Sequence, residues 1–415
     1  MKKSILIIGG SAKESYLARL LSEEFDVFVA PGNDGTKEFA TNVDIRESNV
    51  IELLNFALEN DIFFTIACSE VAIKEDVANL FYDNGLLIFA PTIESADFAI
   101  SRAIAKKLFY KLRLPTPRFA IYEKKNLAID YLKKCEMPII IRTDNRNIKN
   151  YDMVCPSYNI AKAYIEDCFA SDESKVIMEE FVYGTNFSFY ILTDGFKALP
   201  LGSVRDYRFS LDGDGGLLTE GMGACSPFIK LSFEHEDYIM NEIIYPIINH
   251  LAEEGTPYMG ILGIEGVLTP DGDIAITEAV PFLKDHNTQA VLSLIENNVF
   301  ELMHSCTIGA FSDEYDMLDY KDEYAMSLVL SSGKVSSEVI TGLDTIEENV
   351  IVDHINTKQN EYTEFEVLGD RALVLSTTAK TLGRAARNLY EEAENIEFRG
   401  KHYRKDICNV PTFQG

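Results

Sequence analysis

The stretch Gly202–Pro227, GSVRDYRFSLDGDGGLLTEGMGACSP, decides how the rest of the chain is read. It carries the acids Asp206, Asp212 and Asp214 and the arginines Arg205 and Arg208, and it closes on Gly221-Met222-Gly223-Ala224. For most of its length it has neither a helical nor a strand period. Glycine is placed where backbone must take positive φ or let a ligand approach closely. A long, charged, glycine-rich loop inside a compact chain is either functional or disordered. Firm strand patterns bound it and its composition is not low in complexity, so a functional loop is expected.

Outward from this loop, the amino-terminal part alternates strand and helix. SILII at 4–8 is an apolar run with β-branched residues, which reads as a buried parallel strand. Gly9-Gly10-Ser11 follows, then a helix at 13–23 and a strand at Val27–Ala30. A helix at 48–60, a strand at 62–67, a helix at 71–84 and a strand at 86–89 complete the pattern. Such alternation predicts a doubly wound α/β domain over residues 1–92, with ligands at the carboxyl ends of its strands. Those ends carry Gly9-Gly10-Ser11, Pro31–Thr36, Cys68-Ser69-Glu70 and Pro91-Thr92. The first turn lacks GxGxxG, which argues against a dinucleotide oxidoreductase.

The middle of the chain, 97–315, mixes helices at 97–112, 125–136, 158–170, 234–253 and 286–308 with strands at 118–122, 138–142, 175–179 and 186–192. Tyr258–Thr269 and Ile274–Ala279 read as a hairpin about Pro270-Asp271-Gly272-Asp273. Acid-rich Ser312–Glu323 reads as a linker, and 324–410 as strands plus a helix at 378–394. The expected architecture is therefore a Rossmann-like parallel sheet, a central α/β domain and a small carboxy-terminal α+β domain.

The chain has 415 residues, 47% apolar and 25% charged, with a formal charge of −28. That charge disfavours nucleic acid and anionic membrane as partners, since both need a basic footprint. The apolar run after Met1-Lys2-Lys3 stops at Gly9-Gly10, too early for a signal peptide, and no stretch is long enough to span a bilayer. The seven cysteines show no CxxC pair, so they read as reduced thiols of a cytoplasmic protein.

Several motifs together resemble the glycinamide ribonucleotide synthetase family, of the ATP-grasp superfamily. Asp206-Tyr207-Arg208 leading to Thr219-Glu220-Gly221-Met222-Gly223-Ala224-Cys225-Ser226-Pro227 is similar to that family's Asp-His-Lys and Thr-Gly-Gly-Met-Gly-Ala-Tyr-Ser-Pro. Pro31–Thr36 resembles Pro-Gly-Asn-Ala-Gly-Thr, and Phe89–Thr92 resembles Phe-Gly-Pro-Thr. Met178–Gly184 resembles Ile-Glu-Glu-Phe-Leu-x-Gly. Gly369-Asp370-Arg371 and Arg404-Lys405-Asp406-Ile407 look like the family's Gly-Gly-Arg and Arg-Lys-Asp-Ile. The resemblance implies an ATP-grasp central domain and the joining of glycine to phosphoribosylamine, with ATP split through an acyl phosphate. It implies ATP and Mg2+ as cofactors and a monomer or homodimer acting on small molecules.

Roles carry over position by position as expectations. Arg142, Arg208 and Asp285 are the catalytic candidates. Arg102, Arg142, Glu179, Glu180, Phe181 and Val182 would hold ATP. Gly9, Gly10, Ser11, Asn33, Gly35, Thr36, Glu70, Asp212, Thr219 and Gly221 would hold substrate. Glu278 would hold the metal, with Glu265 as a second carboxylate across the hairpin.

The chain departs from the family at these parts. Arg102 and Arg142 stand where the family has lysines, and a planar guanidinium is no stand-in for a point charge. The glycine-rich phosphate loop is replaced by TDNRNIKNY at 143–151, with no glycine. Thr185-Asn186 replaces the acids after the adenine hinge. Val280 replaces an asparagine ligand and Phe282 a substrate-facing arginine. These changes lead to the expectation of a ligase impaired for the parent reaction. The alternatives are a silent paralogue that binds a nucleotide or metabolite, or a ligase with a changed acid or amine substrate.

Overall fold

A computed structural model describes residues 2–144, 152–171, 175–333 and 335–408. Between Ser4 and Phe89 the chain forms a five-stranded parallel sheet in the order Thr41–Asn42, Asp26–Pro31, Ser4–Gly9, Phe64–Ala67, Ile88–Phe89. Ile5 to Ile8 are fully buried, as a parallel strand covered by helices on both faces requires. The expected helix over 71–84 is two pieces, Glu70–Lys74 and Val77–Asp83. Asp76 takes φ +60 between them, which no helix interior accepts.

A four-stranded antiparallel sheet follows, in the order Phe119–Tyr122, Val176–Glu180, Ile139–Thr143, Met153–Cys155. The third sheet has eight antiparallel strands. It runs Ile274–Val280, Gly260–Leu268, Thr185–Thr193, Ala198–Asp206, Gly223–Ser226, Tyr324–Ser331, Arg371–Ala379, Ile351–His354. The carboxy-terminal strands thus continue the central sheet, and Leu382–Asn395 packs against their apolar side through Leu382, Ala385 and Leu389. The pairing covers what would otherwise be an open edge at Gly223–Ser226.

The stretch 202–227 is more regular than its sequence pattern suggests. It contains the end of Ala198–Asp206, a small hairpin of Phe209–Leu211 with Gly215–Leu218, and Gly223–Ser226. The glycines clustered at 213, 215, 216, 221 and 223 hid the strand alternation. The expected helices at 97–112 and 286–308 are each split, at Ser101 and across Ser293–Asn298. Asn298 caps the second half of the latter by accepting from Glu301 N at 3.2 Å.

The reading of all seven cysteines as thiols is corrected at one pair. Cys225 and Cys408 are joined as a disulfide that ties Gly223–Ser226 to the chain end, while Cys68, Cys135, Cys155, Cys168 and Cys306 are free. No spacing rule could reveal partners 183 residues apart. No helix among the described residues is long and apolar enough to cross a membrane.

Candidate active site

The site is built on the hairpin Gly260–Leu268 and Ile274–Val280. Its ladder pairs Leu268 with Ile274, Val267 with Ala275 and Gly266 with Ile276, then shifts so that Glu265 faces Glu278. Thr277 is the extra residue of this bulge. Bulges re-aim side chains, and here the shift sets two carboxylates directly opposite each other. Glu265 and Glu278 are 2% and 3% exposed, and like charges so placed repel unless cations intervene.

The cations are arginines. Arg102, at the start of helix Arg102–Lys111, donates from Nε to Glu278 Oε2 at 3.1 Å and reaches Asp152 at 3.0 Å. Arg142, on Ile139–Thr143, donates to Glu278 Oε1 at 2.6 Å, to Glu179 at 3.0 Å, and to Asp152. Arg208 reaches Glu265 at 3.3 Å and Glu278 at 3.6 Å. Lys284 bonds Glu265, Lys106 bonds Glu179 at 2.6 Å, and Asp206 is held by Lys284 at 3.4 Å and His286 at 2.9 Å. Among the described residues, five basic side chains answer five carboxylates. Burial works against the charge on Arg102, yet Asp152 and Glu278 hold its pKa above the ordinary value. Burial lowers the Lys106 pKa, with Glu179 opposing the shift. Burial also opposes ionisation of Asp206, but Lys284 and His286 keep its carboxyl well below the usual range.

Two hollows flank this network. A cavity of about 230 Å³ lies between the amino-terminal sheet and the hairpin, bordered by Lys13, Glu70, Arg102, Glu278, Lys284 and Arg371. A cleft of about 160 Å³ is bordered by Glu180–Gly184, Asn186, Ile140, Val154, Phe209 and Val267. Arg208 and Leu218 border both.

The expected residues separate into groups. Arg142, Glu179, Glu180, Phe181 and Val182 line the cleft. Arg102, Glu70, Thr219, Asp285, Glu265 and Glu278 line the cavity. Gly221 stands behind it, where a Cβ would lie 2.0 Å from His286 Cε1. Gly9, Gly10 and Ser11 form the turn before helix Ala12–Leu21, with Ser11 N donating to Glu14 at 2.8 Å. Neither hollow is lined by Asn33, Gly35 or Thr36. Asn33 Nδ2 instead donates to Gly10 O at 3.2 Å and His354 O at 2.8 Å, so the corner joins the first sheet to the carboxy-terminal strands. Asp212 likewise turns outward and accepts from Lys405 N at 2.8 Å. Of the loop 143–151, residues 145–151 lie outside the described residues.

Lys13, Lys106, Asp152 and Lys284 carry charge into the site with no role expected from sequence, and Arg371, matched only as part of Gly369-Asp370-Arg371, joins them. Lys106 had a legible signal, four residues after Arg102 on one helix face. Arg371 reaches Glu220 at 3.0 Å and Asp285 at 3.5 Å, a partnership across domains that no local pattern encodes.

Comparison with known families decides what this arrangement derives from. Models of the phosphoribosylglycinamide synthetase N domain, ATP-grasp (A) domain and C domain match residues 3–98, 100–288 and 332–410. The chain belongs to the phosphoribosylglycinamide synthetase family. Its curated relatives include the phosphoribosylamine–glycine ligase of Vibrio vulnificus, 30% identical over 97% of both chains. That of Halalkalibacterium halodurans is 29% identical over 97% of this chain and 96% of its own. The crystal structure of phosphoribosylamine–glycine ligase from Thermotoga maritima superposes with a TM-score of 0.80 at 23% identity, covering 97% of this chain and 100% of that one.

ATP-grasp ligases use ATP with Mg2+, but these residues do not fit a magnesium cage. Magnesium wants hard oxygen ligands in near-octahedral order. Here Glu278 and Glu265 already answer guanidinium and ammonium groups, Val280 offers no oxygen, and no cluster of three or more metal-ligating side chains exists among the described residues. Seating the ion means breaking buried pairs, at ~3–5 kcal/mol for each partner left alone.

Proposed function

We propose that this chain is an ATP-grasp carboxylate–amine ligase of the purine-biosynthetic type, impaired for the reaction its relatives are named for. That reaction activates glycine as an acyl phosphate and passes it to the amine of phosphoribosylamine. In this reading the backbone edge Glu180–Val182 and its apolar walls hold the base, and Arg208 faces phosphate. Lys13, Thr219 and Arg371 face the anionic substrate in the larger cavity. The division into 1–92, 97–315 and 324–410, the cytoplasmic setting and a monomeric or homodimeric state belong to the same proposal.

The observation that carries the impairment is Glu278 bound by both Arg102 and Arg142. Removing one fixed electrostatic contact from a transition state typically costs about 10²–10³ in rate. With glycine, phosphoribosylamine and magnesium–ATP, ADP release is expected at least about 10²-fold below that of the Vibrio vulnificus ligase assayed alongside. Glycine-dependent ADP release at a comparable rate overturns the proposal. A second reading, a silent binding paralogue, is favoured by the persistence of both hollows, and it predicts binding with no ADP release under any of these conditions.

A further inference from the structure

The nucleotide cleft and the large cavity meet at Arg208, and the passage between them is filled by charged side chains. From the cleft, the order is Glu179 and Arg142, then Asp152 and Glu278, then Arg102 and Glu265. A triphosphate extending from base to cavity has to run along this line. It would bring several negative charges beside four buried carboxylates. Where a magnesium ion would bridge such charges, guanidinium groups are already spent on the protein's own acids.

One cation at the cleft mouth is less fully engaged. Among the described residues, Arg208 contacts Glu265 at 3.3 Å and Asp152 and Glu278 at 3.6 Å, and its buried Nε has no hydrogen-bond partner there. The side chain is 11% exposed and Nε itself is buried, so this donor does not turn to water. An unsatisfied buried donor is a standing invitation to an acceptor. Asn186, at the same mouth, offers a neutral amide that can donate and accept toward sugar hydroxyls.

We infer that the cleft takes a purine nucleoside monophosphate free of divalent cation, with its single phosphate on Arg208, in place of a magnesium-bound triphosphate. The purine rests on reading the cleft as the base pocket of an ATP-grasp domain. The short phosphate and the missing metal rest on the charge network alone. One phosphate on Arg208 Nε meets the line of carboxylates only at its Arg208 end, whereas a second and third have to run along it.

Titration calorimetry of the full chain with adenosine, AMP, ATP with chelator, and magnesium–ATP tests this. AMP is expected to bind roughly tenfold or more tightly than ATP, and magnesium to change the ATP affinity by less than about threefold. Arg208→Gln should weaken AMP roughly tenfold while leaving adenosine within about threefold. If that variant does not fold by near-ultraviolet circular dichroism, the ligand order of the unaltered protein decides. Magnesium–ATP binding more tightly than AMP, or no binding by any of the four, overturns the inference. ADP release separately reads the proposed impairment: tight magnesium–ATP binding without turnover defeats this inference and leaves the impairment standing.

Discussion

Arg142 donates from Nη1 to Glu278 Oε1 at 2.6 Å, across 136 residues of chain. Both side chains are 3% exposed, so neither charge has water to fall back on. This pair turns a strand-end carboxylate, the position expected to hold metal, into a structural anchor between the two central sheets.

Truncating the anchor therefore acts on stability. Glu278→Ala leaves Arg142 and Arg102 short of a partner in a buried place, and breaking such a pair costs ~3–5 kcal/mol. Urea unfolding is expected to show a lower midpoint at unchanged slope, worth about 3 kcal/mol. A loss below about 1 kcal/mol would mean that Asp152 and Glu179 alone satisfy the two guanidiniums.

Magnesium without nucleotide should leave the melting temperature where it is. A ligand stabilises only by binding the native state, and the described residues offer no cage to bind it. At millimolar concentration the expected shift is under about 1 °C. A rise of about 4 °C or more would show that the ion displaces an arginine.

Glu14 gives the stability a pH dependence. It is 1% exposed, and burial pushes its carboxyl from 4.5 up to about 7, against the pull of Lys13 and with Asp285 and Glu47 adding to the rise. The folded state thus holds a proton that the unfolded chain has lost. Stability from this group is complete below pH 4.5 and is lost as pH rises to about 7. The difference corresponds to about 3 kcal/mol. Glu14→Gln should flatten the decline over that window in urea titrations at stepped pH. Asp353, raised to about 6 by burial against the pull of Arg19, keeps a smaller slope of the same sign. An unchanged slope in the variant would assign the whole decline elsewhere.

The fold was legible where local pattern and burial agree. SILII reads as a strand covered on both faces and is one, and Pro270-Asp271-Gly272-Asp273 reads as a turn between two apolar strands and joins two. The break at Asp76 was hidden because Glu75-Asp76 reads equally well as the wet face of a helix. Arg102, Arg142 and Glu278 were legible as candidate positions, but their pairing was not. Charge type can be read from a sequence, whereas which acid answers which base depends on sheets brought together over 136 and 176 residues. The bulge at Thr277, which sets Glu278 opposite Glu265, has no glycine or proline on its own strand, and Gly266 faces it only from the partner strand.

The Cys225–Cys408 link should be visible as an unreduced mass lighter by two hydrogens, and Cys408→Ser should destabilise. Closing a loop over 183 residues removes much freedom from the unfolded chain. Losses on removing such a link typically reach about 2–5 kcal/mol. The tail it holds carries Arg404, which bonds Asp214 at 2.9 Å and Phe209 O at 3.1 Å, so the hairpin edging the cleft should loosen too. Faster amide exchange over 209–218 in the variant is expected. Seven free thiols in the unreduced protein in place of five, with unchanged exchange in the variant, would remove the link from the account.

The last prediction concerns what it takes to restore metal-dependent turnover. Val280→Asn alone adds an oxygen but leaves Glu278 bound by two arginines, so it should not raise glycine-dependent ADP release. Adding Arg102→Lys and Arg142→Lys keeps the charge while exchanging each planar fork for a flexible point charge, which can turn to a phosphate and release the carboxylate. The triple variant is expected to gain at least about tenfold in ADP release and to become dependent on magnesium. Phe282 is best left alone at first: it is 5% exposed and packed in an apolar cluster with Val280 and Leu283, where an arginine would be buried without a partner. A gain from Val280→Asn alone would show that the arginines yield to the ion unaided. A folded triple variant with no gain would place the defect in residues 143–151 or in the substrate cavity, and the silent reading would then be preferred.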